Sequence, residues 1–182
     1  LVTLDDLDND GNPELLVGNP KDKKNGEKIG AAYIVFLTNE GKVKKHIKIS
    51  ENIGGFNDSL GNSGDFGISL GRVSRNRIAI GSREGTAPDF FGKFWLVDID
   101  DNGNVTNQHE ITDGTTGFND TLTKQAAFGR ALCGIGDVDG DNVPDIAVGS
   151  FGYSDINENS GAVFILLLNN DGTIKAHIRH SN

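Results

Sequence analysis

Hydrophobic residues along this chain come in short runs, separated by polar segments rich in glycine, asparagine and aspartate. Runs of about four to eight residues that are bounded by turn signals predict β-strands. The last third of the chain shows the clearest set, with predicted strands over 128–133, 145–149, 162–168 and 174–180 and a tight turn at 169–172. No helix of useful length can be written through the sequence, so we predict an all-β protein.

The pattern occurs three times along the chain. Residues 49–60 align with residues 111–122, and the same offset places Tyr33 on Trp95. A second, larger offset places Tyr33 on Phe164. Each unit is too small to bury its own hydrophobic face, so the units are expected to stack on one another.

Within each unit the order of predicted strands is constant. Four antiparallel strands in a unit are the make-up of a propeller blade. We therefore predict three antiparallel four-stranded blades, over residues 1–50, 51–112 and 113–182. The first blade begins at the end of its first strand and is therefore truncated.

Two short loops carry acidic side chains at their positions 1, 3, 5 and 9. The two sets are Asp6, Asp8, Asp10 and Glu14 in loop 6–14, and Asp137, Asp139, Asp141 and Asp145 in loop 137–145. Carboxylates on alternate residues turn inward when a chain curls tightly, and Ca²⁺ takes about six to eight oxygen ligands, among them a backbone carbonyl at position 7. The spacing predicts one calcium ion in each loop.

These loops differ from the loop of an EF-hand. An EF-hand has a bidentate glutamate at position 12 and a helix on each side, whereas position 12 is Val17 in the first loop and Val148 in the second. A short apolar run follows each loop, which predicts a strand. The loops are therefore predicted to be hairpin connections that close at position 9.

Composition narrows the function classes. The chain has 182 residues, 25 of them glycine, and a formal net charge of −9. The two loops supply eight of the acids, and no basic patch suggests a nucleic acid or an anionic membrane as partner. No apolar stretch is long enough to insert into a membrane. The absence of methionine and the leucine at position 1 indicate a processed, truncated or fragmentary chain.

The single cysteine, Cys133, lies in a predicted apolar strand. One cysteine cannot form a disulfide within the chain. We predict that its thiol is buried and inert, as most free cysteines in apolar strands are.

At this point the residues resemble a known family. Phe128-Gly129, then an aspartate-rich loop, then Pro144-Asp145 and an apolar stretch ending in glycine look like the FG-GAP repeat of integrin α-chain β-propellers. Residues 161–175 closely resemble the bacterial surface-protein version of that repeat. The resemblance spans essentially the whole chain.

The resemblance implies specific calcium ligands. The implied side-chain ligands are Asp6, Asp8, Asp10 and Glu14 in one loop and Asp137, Asp139, Asp141 and Asp145 in the other, with the position 7 carbonyls of Asn12 and Val143. Position 6 is Gly11 in the first loop and Asn142 in the second, which is tolerable because asparagine visits the left-handed region readily. The family also implies a ring of about seven blades. Three blades would then be an arc of a longer protein, or a subunit that completes itself by assembly.

The middle unit departs from the calcium pattern. Between Gly71 and Gly81 it is shorter than its siblings, and arginines stand at positions 72, 75 and 77 where acids are expected. We predict that this blade holds no calcium. The segment from Asp98 to Asn102 looks like a third calcium loop, but its position 9 is Thr106 and the repeat alignment places Asp98 in a third strand. A plain hairpin turn is predicted there.

Several motifs are better explained by structure than by chemistry. The segment Gly67-Ile-Ser69-Leu-Gly71 matches a hydrolase nucleophile elbow, but Ala131 stands at the repeat equivalent of Ser69. Catalysis is not expected. The histidines, among them His46 and His177, lack the neighbours that would complete a zinc site. Tyr33, Trp95 and Phe164 share one blade position and are predicted to pack in the core.

The order of hairpins in a blade predicts that the calcium loops and the ligand-binding loops lie at opposite rims. The connections between strands 1 and 2 and between strands 3 and 4 of a blade lie at one rim, which would hold the calcium loops. The longer segments 18–30, 51–65, 82–92, 113–127 and 150–160 would lie at the opposite rim, where recognition by long irregular loops is expected. Calcium is then predicted to have a structural role, holding a tight turn. A protein or glycan ligand would bind at the rim opposite the calcium loops.

Three functions remain open from the sequence. The first is a non-catalytic extracellular module for adhesion or cell-surface assembly. The second is a sugar-binding lectin or the propeller part of a polysaccharide-acting enzyme, for which Phe90, Phe91, Phe151 and Tyr153 are the candidate contacts. The third is a structural subunit that polymerises through open blade edges, with further blades or copies at those edges.

Overall fold

Strands make up the regular structure of the computed structural model, which describes residues 1–61, 64–83, 91–154 and 160–181. The strands are β1 Val2–Thr3, β2 Leu15–Asn19, β3 Lys23–Lys24, β4 Glu27–Lys28, β5 Ala31–Leu37, β6 Val43–Ile49, β7 Ser69–Ser74, β8 Arg77–Ser82, β9 Lys93–Ile99, β10 Val105–Ile111, β11 Phe128–Gly136, β12 Asp145–Ser150, β13 Ala162–Leu168 and β14 Ile174–Ser181. In this part of the chain no helix is long and apolar enough to cross a membrane.

The strands form three four-stranded antiparallel sheets, in which neighbouring strands follow one another in chain order. Their orders are β1-β2-β5-β6, β7-β8-β9-β10 and β11-β12-β13-β14. The short hairpin β3-β4 lies within the connection from β2 to β5. The predicted all-β class and four-stranded antiparallel blades are confirmed.

The three sheets stack face to face, and the middle sheet contributes to two cores. Along β9, alternate side chains point to opposite faces. Trp95 and Val97 are fully buried in a cluster with residues of the first sheet. Phe94 and Leu96 are buried in a second cluster with residues of the third sheet. Each sheet therefore buries its hydrophobic face only by stacking on its neighbour.

The Phe-Gly pairs that align between the second and third units lie where neighbouring sheets meet. Phe66 and Phe128 are fully buried, and the glycines that follow have left-handed backbones, with φ of +88° at Gly67 and +80° at Gly129. A Cβ on Gly129 would lie 3.1 Å from the carbonyl oxygen of Lys93. The glycine is required by both its conformation and the close approach of the neighbouring backbone.

The two outer sheet faces are less covered than the inner ones. Trp95 and Phe164 are fully buried, as predicted, whereas Tyr33 at the same repeat position is only half-buried. On the third sheet Val163 is 46% and Ile178 47% exposed, and Phe151, directly after β12, is 68% exposed. The outer face of the third sheet is therefore an apolar surface.

The prediction for Cys133 is wrong, because this residue is exposed. In β11 the side chain of Leu132 points into the core, so the next residue must point to the other face of the strand. The register of β11 also shifts between Phe128 and Ala131. A strand composition that is apolar throughout does not reveal which residues face the core.

Two of the motifs set aside above have structural partners. The Ser69 hydroxyl donates a hydrogen bond to the carbonyl of Gly129 and so joins the second sheet to the third. His177 Nε2 lies 3.0 Å from a carboxylate oxygen of Asp120, in the segment before the third sheet.

Candidate calcium centres

Both acidic loops connect the first two strands of a sheet, and the aspartate at position 1 curls each of them. In the first loop Asp6 accepts hydrogen bonds from the backbone N–H groups of Asp10 at 3.1 Å and Gly11 at 2.8 Å. In the second loop Asp137 accepts from Gly140 at 2.7 Å and Asn142 at 2.8 Å. The same side-chain position therefore shapes both loops.

Tight curling also needs left-handed residues, and each loop has two. Positions 4 and 6 have positive φ angles in both loops: 57° at Asn9, 91° at Gly11, 84° at Gly140 and 68° at Asn142. Each loop uses one asparagine and one glycine, in opposite order. Asparagine and glycine are the residues that adopt this conformation at least cost.

The first loop gathers its four acids into one cluster. Asp6, Asp8, Asp10 and Glu14 each offer a carboxylate oxygen, and these four oxygens lie within 4.8 Å of one another. Glu14 is fully buried. Its Oε2 accepts the backbone N–H of Leu7 at 2.6 Å, but its Oε1 and the Oδ1 of Asp8 are buried without a hydrogen-bond partner among the described residues. Buried carboxylate oxygens need a partner, so this arrangement fits a hard cation.

The electrostatic surroundings of Glu14 also fit a bound cation. Burial raises the pKa of its carboxyl group, the Leu7 N–H opposes that shift, and the nearby Asp8, Asp6 and Asp10 raise the pKa further. A divalent cation among these groups would reverse the effect, because it favours the ionised form.

The second loop gathers only three of its acids. Asp137, Asp139 and Asp145 form a cluster, whereas Asp141 lies outside it. Asp145 is fully buried, and both of its oxygens accept backbone N–H groups, from Leu168 at 3.0 Å and Val138 at 2.8 Å. The longer side chain of Glu14 leaves one oxygen without such a bond. The two loops therefore differ in how their position 9 carboxylate is held.

The fourth strand of each of these sheets adds a lysine that the sequence analysis missed. Lys44 Nζ lies 2.8 Å from Asp8 and 2.9 Å from Asp10, and Lys175 Nζ lies 2.6 Å from Asp139 and 2.7 Å from Asp141. The hydrogen bonds raise the pKa of both ammonium groups. The signal was present, because the offset that aligns the acids of the two loops also aligns the two lysines.

In the middle sheet, arginine contacts occupy the turn between β7 and β8. Arg75 donates to the backbone carbonyls of Asp6 at 3.1 Å and Leu7 at 2.9 Å, in the first acidic loop. It also pairs with Asp101 at 2.5 Å. Arg77 pairs with Asp98 at 2.6 Å. The arginines of this turn thus link the middle sheet to the first loop and to its own third strand.

The prediction for the segment after Asp98 is confirmed. Asp98 lies in β9, and the Asp100 carboxylate accepts the backbone N–H groups of Asn102 at 2.9 Å and Asn104 at 2.8 Å. This side chain closes the turn between β9 and β10 together with backbone hydrogen bonds, among them Asp100 N–H to the Asn104 carbonyl at 2.9 Å. It is a hairpin turn.

Most of the described aromatic residues expected near the opposite rim already pack against other side chains. Phe91 packs against the core, and Tyr153 is only 4% exposed, with Arg179 over its ring at 5.2 Å. Phe151 is exposed. Phe90 lies outside the described residues, as do parts of segments 51–65, 82–92 and 150–160.

Comparison with known proteins finds a repeat family and integrin relatives. Residues 128–166 match the model of the FG-GAP repeat. The chain is 32% identical to integrin alpha-6 of Gallus gallus over 161 residues, which cover 84% of this chain and 13% of that protein. It is 28% identical to integrin alpha-8 of Mus musculus over 159 residues, 83% of this chain and 14% of that protein. The chain thus spans about a seventh of the length of these relatives. The likeness to bacterial surface proteins stays a prediction.

Proposed function

This chain is an FG-GAP repeat protein related to integrin α subunits, and from that premise we propose that it is a non-catalytic, extracellular module for adhesion or cell-surface assembly. In this proposal each acidic loop binds one Ca²⁺, which stabilises the fold and takes no part in chemistry. The observation that carries the proposal is the pair of buried oxygens of Asp8 and Glu14 that have no hydrogen-bond partner in the described part of the chain, within a cluster of four carboxylates.

The proposed ligands follow the sequence pattern. They are the side chains of Asp6, Asp8, Asp10 and Glu14 with the carbonyl of Asn12, and the side chains of Asp137, Asp139, Asp141 and Asp145 with the carbonyl of Val143. The bound ion would offset the repulsion among the acids of each loop. It would thereby hold the first two strands of the sheet together at their connection.

We place ligand recognition at the rim opposite the acidic loops. The connection from β2 to β5 is long enough to carry its own hairpin, β3-β4, and long loops on a rigid scaffold are suited to recognition. A protein or glycan ligand is proposed there. A lectin is less favoured, because Tyr153 is buried and Phe91 is half-buried and packs against the core.

The proposal is tested by two aspartate substitutions of matched size. We expect Asp139→Ala to remove the part of the calcium-dependent rise in melting temperature that the second loop provides, because a cage acid is lost. Asp100→Ala removes an acid of a plain turn and should leave that calcium dependence unchanged. Melting is followed by circular dichroism with calcium and with chelator. Equal calcium dependence in wild type and Asp139→Ala would contradict the second site.

A further part of the proposal concerns the outer sheet faces. Val163 and Ile178 are exposed on the outer face of the third sheet, and Phe151 is exposed directly after β12. The equivalent face of the second sheet is buried by its neighbour. We propose that further blades of the same polypeptide or neighbouring copies cover this face in the native context.

The isolated 182-residue chain is therefore expected to self-associate. In sedimentation velocity its mean mass should rise with concentration, and Val163→Asp with Ile178→Asp should suppress the rise. Ile53→Asp is the control, since Ile53 is also exposed, at 37%, but lies in the connection between the first two sheets. A wild-type chain that stays monomeric at all concentrations would contradict the proposal that the outer face of the third sheet must be covered.

A further inference from the structure

We propose that Lys44 and Lys175 are internal counter-cations that compete with Ca²⁺ for the acidic loops and so weaken calcium binding at both sites. The inference rests on the proposed calcium sites. It assigns a role to two residues of the fourth strands, which lie outside the loop pattern itself.

The geometry is the same in two independent repeats. Lys44 is the second residue of β6 and Lys175 the second residue of β14. Each ammonium group reaches the Oδ2 atoms of the acids at positions 3 and 5 of its own loop, at distances between 2.6 and 2.9 Å. The middle unit has Thr106 at the equivalent position. The lysine is thus present in the two units that have the acids and absent from the unit that lacks them.

The lysine engages oxygens that a calcium ion would need. Asp10 Oδ1 accepts the backbone N–H of Asn12 at 2.9 Å, and its Oδ2 is bound by Lys44. Asp141 has the same arrangement, with the Val143 N–H at 2.8 Å and Lys175. Both oxygens of the position 5 carboxylate therefore have a partner in each loop. Calcium at position 5 must share an oxygen or displace the lysine.

Repulsion between the lysine ammonium group and a bound calcium ion would also weaken calcium binding. A cation in direct contact with two carboxylates stands close to any ion that those carboxylates bind, and two positive charges repel. Without calcium, however, the ammonium group screens the acids from one another. The lysine should therefore stabilise the calcium-free loop and oppose calcium binding. The site would then fill only at a higher calcium concentration.

A lysine that forms only a solvent-exposed ion pair would behave differently. Exposed pairs contribute little on average, and their loss would leave calcium affinity unchanged. Substitution of the lysine distinguishes the two cases because the site it touches can be titrated directly.

The test is calorimetric titration of the whole chain with CaCl₂. We expect Lys44→Gln to tighten one of the two sites by about fivefold, an order-of-magnitude value for removing one nearby positive charge. Lys175→Gln should tighten the other site by a similar factor. Lys44→Arg keeps the charge and should retain the wild-type affinity. Lys42→Gln is the matched control, since Lys42 pairs with the exposed Glu40, and it should change affinity by less than about twofold.

A melting experiment supplies a second readout. In chelator, Lys44→Gln should melt below wild type because the acids of the first loop lose their counter-cation. In saturating calcium this difference should vanish or reverse. A lysine with a merely structural role would lower the melting temperature equally in both conditions.

The outcomes separate the two proposals. If wild type binds calcium and Lys44→Gln binds it with equal or lower affinity, the role of the lysine is overturned while the sites stand. If neither wild type nor any lysine variant binds calcium, the calcium sites fall and the role of the lysine falls with them.

Discussion

Replacing Trp95 by alanine is expected to lower the free energy of unfolding by about 3–5 kcal/mol, as large-to-small substitutions of buried aromatic residues do. Trp95 is fully buried between the first two sheets. Its ring packs edge-on against Phe56 at 5.7 Å and Phe66 at 5.3 Å. Its indole N–H also donates to Asp58 at 2.9 Å. The substitution would create a cavity and leave that carboxylate without its donor.

The matched control is Tyr33→Ala, which removes the aromatic residue at the same position of the first unit. Tyr33 is half-buried on an outer face, so we expect a cost of only about 1–2 kcal/mol. Urea unfolding of the two variants measures the difference. If both substitutions cost the same, the burial of the middle sheet between its neighbours would be wrong.

Removing calcium is expected to have an effect of similar size. Binding to the native state alone stabilises it by about 2.7 kcal/mol for each site when free calcium is at about 100 times the dissociation constant. Two sites would give about 5 kcal/mol, which corresponds to a fall of roughly 10–20 °C in melting temperature for a chain of this size. Scanning calorimetry in calcium and in chelator measures this shift. A melting temperature that does not change with chelator would contradict a structural role for calcium.

The sheet architecture could be predicted because it depends on local signals. Short apolar runs, glycine-containing turns and the repeat of residues 49–60 at 111–122 are visible in the sequence. The strands of the third unit fall close to the predicted ranges, and β13 has the predicted bounds. The repeat alignment also placed Asp98 in a strand, although its spacing imitates a calcium loop. Comparison between the repeat units thus distinguished a strand and hairpin turn from a calcium loop, which the spacing of the acids alone could not do.

The orientation of side chains within strands was less predictable. Cys133 lies in an apolar strand but is exposed, because Leu132 takes the core position and the register of the strand shifts. Tyr33 has the same repeat position as Trp95 but a different degree of burial. Burial between sheets depends on which neighbours a sheet has, and the sequence of one unit does not contain that information.

The acidic loops were also only partly predictable. Alternate acids identify each loop, but they do not show that Asp145 uses both oxygens for backbone hydrogen bonds, whereas one oxygen of Glu14 has no partner within the described ranges. The lysines come from the fourth strand, far along the chain from the loop acids they contact. The spacing of residues within a loop carries no information about such distant partners.

A crystal structure of the chain grown in calcium is the most direct test of the central claim. We expect two calcium ions, identified by their anomalous scattering, one in loop 6–14 and one in loop 137–145. In the first loop the ion should contact Asp8 Oδ1 and Glu14 Oε1, the two buried oxygens that have no hydrogen-bond partner among the described residues. Loops without calcium, or an ion at the turn of Arg75, would contradict the account.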